Sequence, residues 1–431
     1  MNFIRAGLLI LFAFAVLAFG SVEVWSESLL EIGAGLLFIG WAAIVFLDRS
    51  VQIEWNPLNW PLIGFLVIGL IQLALRVTPY PFLTQVELLK LAAYLVIFFL
   101  STQAFRQRRH LSHLAWFLIF LCFIVSMLGI VQYFASDAKI YGFRALSEGG
   151  APFGPFVNRN HFAGFVELTL PTGLALLIFR GLRRDMFPLT GLLIVVPIAA
   201  LMLSGSRGGV VSLGFEIAFL ALLARTRKAP QRPQLAALAL VGLSALALVA
   251  WLGAGKVMER LSINHPEDVT LSRRATMVRG AAHMFFAHPI VGWGVGSLVA
   301  VYPRYETFYD GKIVDHVHND YMELLAETGT IGSLCGLAFL WILLYNARRC
   351  FATEQGHFSR AIHAGAITAT CGLLLHSVAD FNLHIPSNAL LFLLQAHLAT
   401  TTPLPSEAAS TRSRIRVRER ESASTDEPAD S

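Results

Sequence analysis

Phe286-Ala287-His288-Pro289-Ile290-Val291-Gly292-Trp293-Gly294-Val295-Gly296, followed by Asp315-His316-Val317-His318-Asn319-Asp320-Tyr321, lies in a segment from Lys256 to Gly332 that is rich in charge and histidine. Long apolar blocks flank it on both sides. Of the 431 residues 55% are hydrophobic and only 14% charged, and the mean hydropathy of +0.62 excludes an ordinary soluble domain. The chain therefore reads as an all-α polytopic membrane protein whose helices hold this segment at one membrane face.

Spanning a bilayer takes roughly 20 apolar residues. Twelve runs qualify: 3–20, 29–47, 61–77, 86–104, 114–134, 162–180, 187–203, 209–224, 235–253, 324–345, 361–379 and 387–402. The first lacks a small-x-small cleavage site and reads as a transmembrane helix, not a signal peptide. Positive residues in short loops stay in the cytoplasm, and with the N-terminus inside, alternate loops collect Arg106, Arg108 and Arg109; Arg180, Arg183 and Arg184; Arg225, Arg227, Lys228 and Arg232; and Arg348, Arg349 and Arg360. Both termini are then inside, and the long loops 135–161 and 254–323 are outside. The organisation expected is helices one to five over 1–134, an outer loop and helices six to nine over 135–253, an outer loop over 254–323 with short amphipathic helices, helices ten to twelve over 324–402, and a disordered cytoplasmic tail over 403–431.

The four cysteines, Cys122, Cys335, Cys350 and Cys371, have no paired spacing and suggest neither a disulfide framework nor a zinc site. Basic residues outside are more informative, because topology gives no reason for them. Arg207 sits in Ser204-Gly205-Ser206-Arg207-Gly208-Gly209, where glycines allow close backbone approach and a helix N-terminus favours an anion; the alternative is an arginine snorkelling to lipid phosphate. Arg159 lies in Asn158-Arg159-Asn160-His161 as the chain enters span six. One asparagine is explained as a helix cap, leaving Arg159 and His161 facing the outer surface. Glu167 is an intramembrane carboxylate that needs a partner, with Arg159 or Arg207 expected in that role.

Arg273, Arg274 and Arg279 belong to a stretch with apolar Met277, Ala281, Met284 and Phe285, the spacing of an amphipathic helix lying on the membrane. Only one or two of these arginines can face the same ligand. The helix should end at His288-Pro289, and the glycines after it should form a tight turn; no strand precedes them, so a dinucleotide-binding reading is rejected. His318 precedes Asn319 and Asp320, which read as the N-cap of a helix beginning near Tyr321. The positive end of the helix disfavours an imidazolium there, which suits a general base. Alternatives are a structural histidine, or metal ligation by His316, His318 and Asp320, for which no third histidine stands nearby in sequence. Glu323 and Glu327 could orient the base or pair with the arginines.

These motifs resemble the O-antigen ligase and polymerase superfamily of bacterial inner-membrane proteins, the Wzy-C family. The resemblance rests on Ser206-Arg207-Gly208-Gly209, on an arginine ten to fifteen residues before His-Pro-x-x-Gly-x-Gly-x-Gly, on His318-Asn319-Asp320-Tyr321 followed by Glu327-Thr328-Gly329-Thr330-Ile331-Gly332, and on Asn158 to Ala163. It covers about 155 to 335. It implies a metal-independent, inverting glycosyltransferase of the GT-C class that takes a glycan from undecaprenyl diphosphate at the periplasmic face, without cofactor or nucleic acid. The family's diphosphate-binding arginines map onto Arg207 and Arg274, and its catalytic histidine onto His318. The family usually has an aromatic residue four positions after the second arginine; here Val278 stands there, so Arg273 and Arg279 remain alternatives. The acceptor could be lipid A core or another surface glycan (ligase), or a growing O-antigen or exopolysaccharide (polymerase). An oligosaccharyltransferase acting on protein and a transporter or flippase are the rival readings; transport would call for charges near midspan, whereas the charges gather at the outer surface, with Glu167 and Glu216 the main exceptions.

Overall fold

The computed structural model describes residues 1–135, 139–146, 151–226, 239–252, 271–307, 309, 311 and 313–402. The tail over 403–431 and the start of the outer loop, 254–270, lie outside the described residues. The helices are α1 (Asn2–Leu17), α2 (Val24–Leu47), α3 (Asn59–Ala74), α4 (Pro81–Ala104), α5 (Arg108–Phe134), α6 (Arg159–Ile178), α7 (Phe187–Ser204), α8 (Arg207–Thr226), α9 (Ala239–Leu252), α10 (Leu271–Ala287), α11 (Leu298–Val301), α12 (Asp320–Thr353), α13 (His357–His376) and α14 (Pro386–Thr400). Each apolar run named above overlies one of them. Eight are long and apolar enough to cross a bilayer: α2, α4, α5, α6, α7 with the turn preceding it, α8, α12 and α13. The protein is an all-α, multi-pass membrane protein.

Helices α6 and α14 are buried along nearly their whole length and form the centre of the bundle. Small residues permit this: a Cβ on Gly365 of α13 would come within 2.8 Å of Thr172 Cα in α6, so the two backbones touch, as membrane helices do when packing rather than water drives their association. Outer helices instead turn apolar stripes outward, such as Leu29, Ile32, Leu36 and Ile39 on α2 and Leu334, Leu337 and Trp341 on α12, all exposed. These are the lipid-facing positions of a chain whose backbone is satisfied within helices.

The spans alternate in direction, and contacts between their ends define two faces. On one, Arg5 Nε donates to Ala104 O at 2.9 Å, His357 meets Phe179 O at 3.2 Å, and Arg108 lies over the Phe358 ring. This face carries the basic residues Arg106, Arg108, Arg180 and Arg360. On the other, Gly20 packs against Phe156 and Ile385, and Gln72 at the end of α3 donates to Val291 O at 2.6 Å and Glu327 O at 2.8 Å.

Over that second face lies a small subdomain. Met277, Ala281 and Met284 of α10 pack with Leu298, Val301, Tyr302, Val314, Val317 and Ala326, which bears out the amphipathic spacing. The glycine turn is a docking device: Gly292, Gly294 and Gly296 have φ of 68°, 108° and 74°, and Trp293 N and Gly294 N donate to Ala326 O and Glu327 O. The run read as span ten is longer than expected and is broken. Gly329 (φ 63°, ψ −162°) kinks α12, and Thr330 N and Ile331 N donate to Pro289 O and Ile290 O instead of to their own helix. Hydropathy does not register such a break.

Candidate functional site

The residue that organises the site is Asp380, in the loop between α13 and α14 and fully buried. Its carboxylate accepts from Asn160 Nδ2 at 2.5 Å and from its neighbour Phe381 N at 2.9 Å. His318 Nδ1 lies 3.2 Å away, Arg274 Nη2 3.9 Å and His161 Nε2 4.0 Å. Burial alone would raise the Asp380 pKa, but the hydrogen bond and charge of His318, with His161 and Arg274, hold it well below the usual carboxylate range. Three segments distant from it in sequence thus share one anion.

Local chemistry fixes each contributor. Asn319 caps α12 by accepting from Met322 N at 2.9 Å, as its sequence context suggests, and its amide donates to Val378 O. Asp320 N donates to Ser377 O, which sews the start of α12 to the Asp380 loop. His318 itself takes φ 53°, a left-handed conformation that histidine adopts more readily than most residues, and this directs its ring at Asp380. Asn158, not Asn160, caps α6 through Asn160 N at 2.9 Å; the Asn160 side chain is thereby left for Asp380.

Among the three arginines of α10 the structure discriminates. Arg274 reaches the site, donating also to Ala379 O. Arg273 is ion-paired with Glu306 at 2.8 Å, and Arg279 is exposed. Arg274→Ala is accordingly expected to cut activity about a hundredfold, as for loss of a preorganised cation, with Arg279→Ala within about twofold of wild type; activity per amount of membrane protein checks this.

Arg207 opens α8 two residues after Gly205, whose φ of 68° ends α7. The backbone at Gly208 lies against His376, so that an added Cβ would sit 2.3 Å from His376 Nε2. His376 is the last residue of α13, four residues before Asp380, so Arg207 enters the same face. Arg159 does as well, through Asn160 and His161. The N-termini of α6, α8 and α12 all open here and add the positive ends of three helices.

Several expectations need correction. Arg159 and His161 do not face the outer surface: they are 4% and 6% exposed, and the loop after α13 packs on His161 through Asp380 and Phe381. Glu167 pairs with neither Arg159 nor Arg207 but with His376 Nδ1, at 2.8 Å, since helix α13 packs along α6. Among the described residues Glu327 contacts no arginine; its oxygens accept from Gly296 N and Leu298 N, both at 2.9 Å, and secure the glycine turn. Glu323 does not orient His318. It meets His316 Nδ1 at 2.6 Å and His384 Nε2 at 3.2 Å, and His384 Nδ1 meets Asp320 at 2.8 Å. Burial pulls the His384 pKa down, but Glu323 and Asp320 more than offset it and push it up to about 10; His316 is raised by Glu323 against the same burial.

Asp380, His376 and His384 had not been anticipated. A signal was present: Asp380-Phe381-Asn382-Leu383-His384 is too polar for a mere connection between two spans, and alternation of the spans puts it on the same face as His318.

Residues 192–337 match a family model described as O-antigen ligase. The match takes in the Arg207 turn, α10, the glycine turn, His318 and the kink of α12, and so supports the resemblance to the O-antigen ligase and polymerase superfamily on three of the four motifs that suggested it; Asn158 to Ala163 lies outside the matched residues. No curated protein matches the chain.

Proposed function

We propose that this protein is an O-antigen ligase-type glycosyltransferase that takes a glycan from undecaprenyl diphosphate and joins it to an acceptor hydroxyl of lipid A core or another surface glycan. The supporting observation is the convergence of His318 and Arg274 on buried Asp380, on the face where Arg207 opens α8. With the basic loops on the opposite face, the positive-inside rule orients this site to the periplasm of a bacterial inner-membrane protein.

Asp380 accepts the Nδ1 proton of His318 and leaves Nε2 as the basic nitrogen, the arrangement by which a buried carboxylate fixes a catalytic imidazole. Nε2 takes the proton of the acceptor hydroxyl as its oxygen attacks the anomeric carbon. The bond from that carbon to the diphosphate breaks on the opposite side, and the diphosphate leaves with the electron pair. Arg207, Arg274 and Arg159 stabilise the new negative charge through charge-assisted hydrogen bonds. Guanidiniums so placed serve where other glycosyltransferases use a metal. Attack opposite the leaving group inverts the anomeric configuration.

The test is reconstitution of the purified protein with an undecaprenyl-diphosphate glycan and acceptor, with the product linkage read by NMR. Inverted product supports the proposal; retained configuration, or no transfer from any carrier-linked glycan, rejects it. In a deletion strain, full-length polymer stranded on the carrier marks a ligase, and single repeats with lost polymer mark a polymerase. Arg207→Ala should lower transfer by about 10² to 10³, the loss typical of one transition-state donor, and Arg207→Lys should recover part of it because only the bidentate fork is missing.

A further inference from the structure

We propose that His316, His384 and Glu323 form a binding site for one divalent transition-metal ion of the Zn²⁺ type, beside the reacting centre and distinct from it. One ligand atom from each lies within 4.8 Å of the others. They come from three segments: the loop before α12, the first turn of α12, and the turn Asn382–His384 before α14. Two imidazole nitrogens and a carboxylate are the donor set that Zn²⁺ and its neighbours take, whereas Ca²⁺ and Mg²⁺ require oxygen ligands.

The surroundings orient the donors. His384 Nδ1 faces Asp320 at 2.8 Å, so Nε2 is the nitrogen turned towards Glu323. Asp320 is held in turn by Leu383 N at 3.2 Å, and the second oxygen of Glu323 accepts from Val317 N at 3.2 Å. A carboxylate behind a histidine and a backbone donor behind a ligating carboxylate are the outer contacts that metal sites use to fix their ligands. Moreover, His316 and His384 point at the same oxygen, Glu323 Oε1, at 2.6 and 3.2 Å.

The ion would be structural. Phe381 lies between it and the reacting centre, its ring 4.4 Å from that of His316 and 4.9 Å from that of His318. Binding would cross-link the start of α12 to the turn that follows Asp380, and so fix the distance between His318 and its carboxylate. It would release protons from the ligands, and affinity should rise with pH.

The experiment uses the full chain, purified in detergent without a polyhistidine tag and stripped with chelator. Co²⁺ is titrated alone and followed by its visible absorption, and Zn²⁺ then competes. The expected result is one saturable equivalent of Co²⁺ displaced by Zn²⁺, with His316→Gln and His384→Gln each weakening binding at least tenfold. His318→Ala should bind Co²⁺ as wild type does while losing glycan transfer, which separates this proposal from the functional one. Absence of saturable Co²⁺ binding by the wild-type protein overturns it without recourse to any variant, as does binding that neither glutamine substitution weakens.

Discussion

His318→Ala is expected to lower glycan transfer by about three to four orders of magnitude, with the protein still present in the membrane at its normal level. A positioned general base contributes roughly 10² to 10⁴ to rate, and here the same ring is also a hydrogen-bond partner of a buried carboxylate. Asp380→Asn should cost nearly as much: the amide no longer demands a proton from Nδ1, so the basic nitrogen need not face the acceptor, and Arg274 loses its counter-charge. Because the two side chains act as one unit, the double variant should be little worse than either single one. The measurement is transfer in membranes, normalised to protein, across pH. A merely structural Asp380 would lower activity evenly across pH; a positioning role changes the shape of the profile. Near-normal transfer by either single variant removes that residue from the mechanism.

The second large effect lies away from the chemistry. Gly329→Ala is expected to remove at least about 3 kcal/mol of stability, a large part of a typical total of 5–15 kcal/mol. Its φ of 63° with ψ of −162° belongs to a region that is essentially glycine's own. The added methyl would come within 2.5 Å of the Ile290 carbonyl carbon and 2.6 Å of Gly292 N, and backbone atoms cannot yield as a flexible side chain can. Relief requires the first turns of α12 to swing away, with Asn319, Asp320 and Glu323 on them. Thermal unfolding in detergent should show a fall of many degrees together with lost transfer. Gly35→Ala on α2, where an added Cβ meets nothing within 4 Å, serves as the neutral comparison. Equal melting temperatures for the two variants would reject this account of the kink.

Much of the architecture was legible beforehand, for identifiable reasons. A bilayer imposes length and apolarity on each span separately, so twelve runs could be placed without knowing their neighbours. The caps at Asn158 and Asn319 are likewise local, each made within three residues of chain. Amphipathic spacing marked α10 and left only the choice among its arginines, which depends on what lies opposite. Partners across the bundle were not legible. Glu167 and His376 stand 209 residues apart, and His318 and Asp380 62 apart; lipid-facing and helix-facing positions look alike in hydropathy, so the order of helices around α6 could not be deduced.

The sequence by itself determined that this is a many-spanning helical membrane protein with arginines and a histidine on the face opposite its basic loops, because apolar length and charge asymmetry act through each segment alone. Only the tertiary structure decided that Asp380 is the group they meet, that Arg274 rather than Arg273 or Arg279 reaches it, that Glu167 turns to His376, and that His384 joins His316 at Glu323. Those choices depend on short-range contacts, which take effect only once packing has brought distant helix ends within a few ångströms.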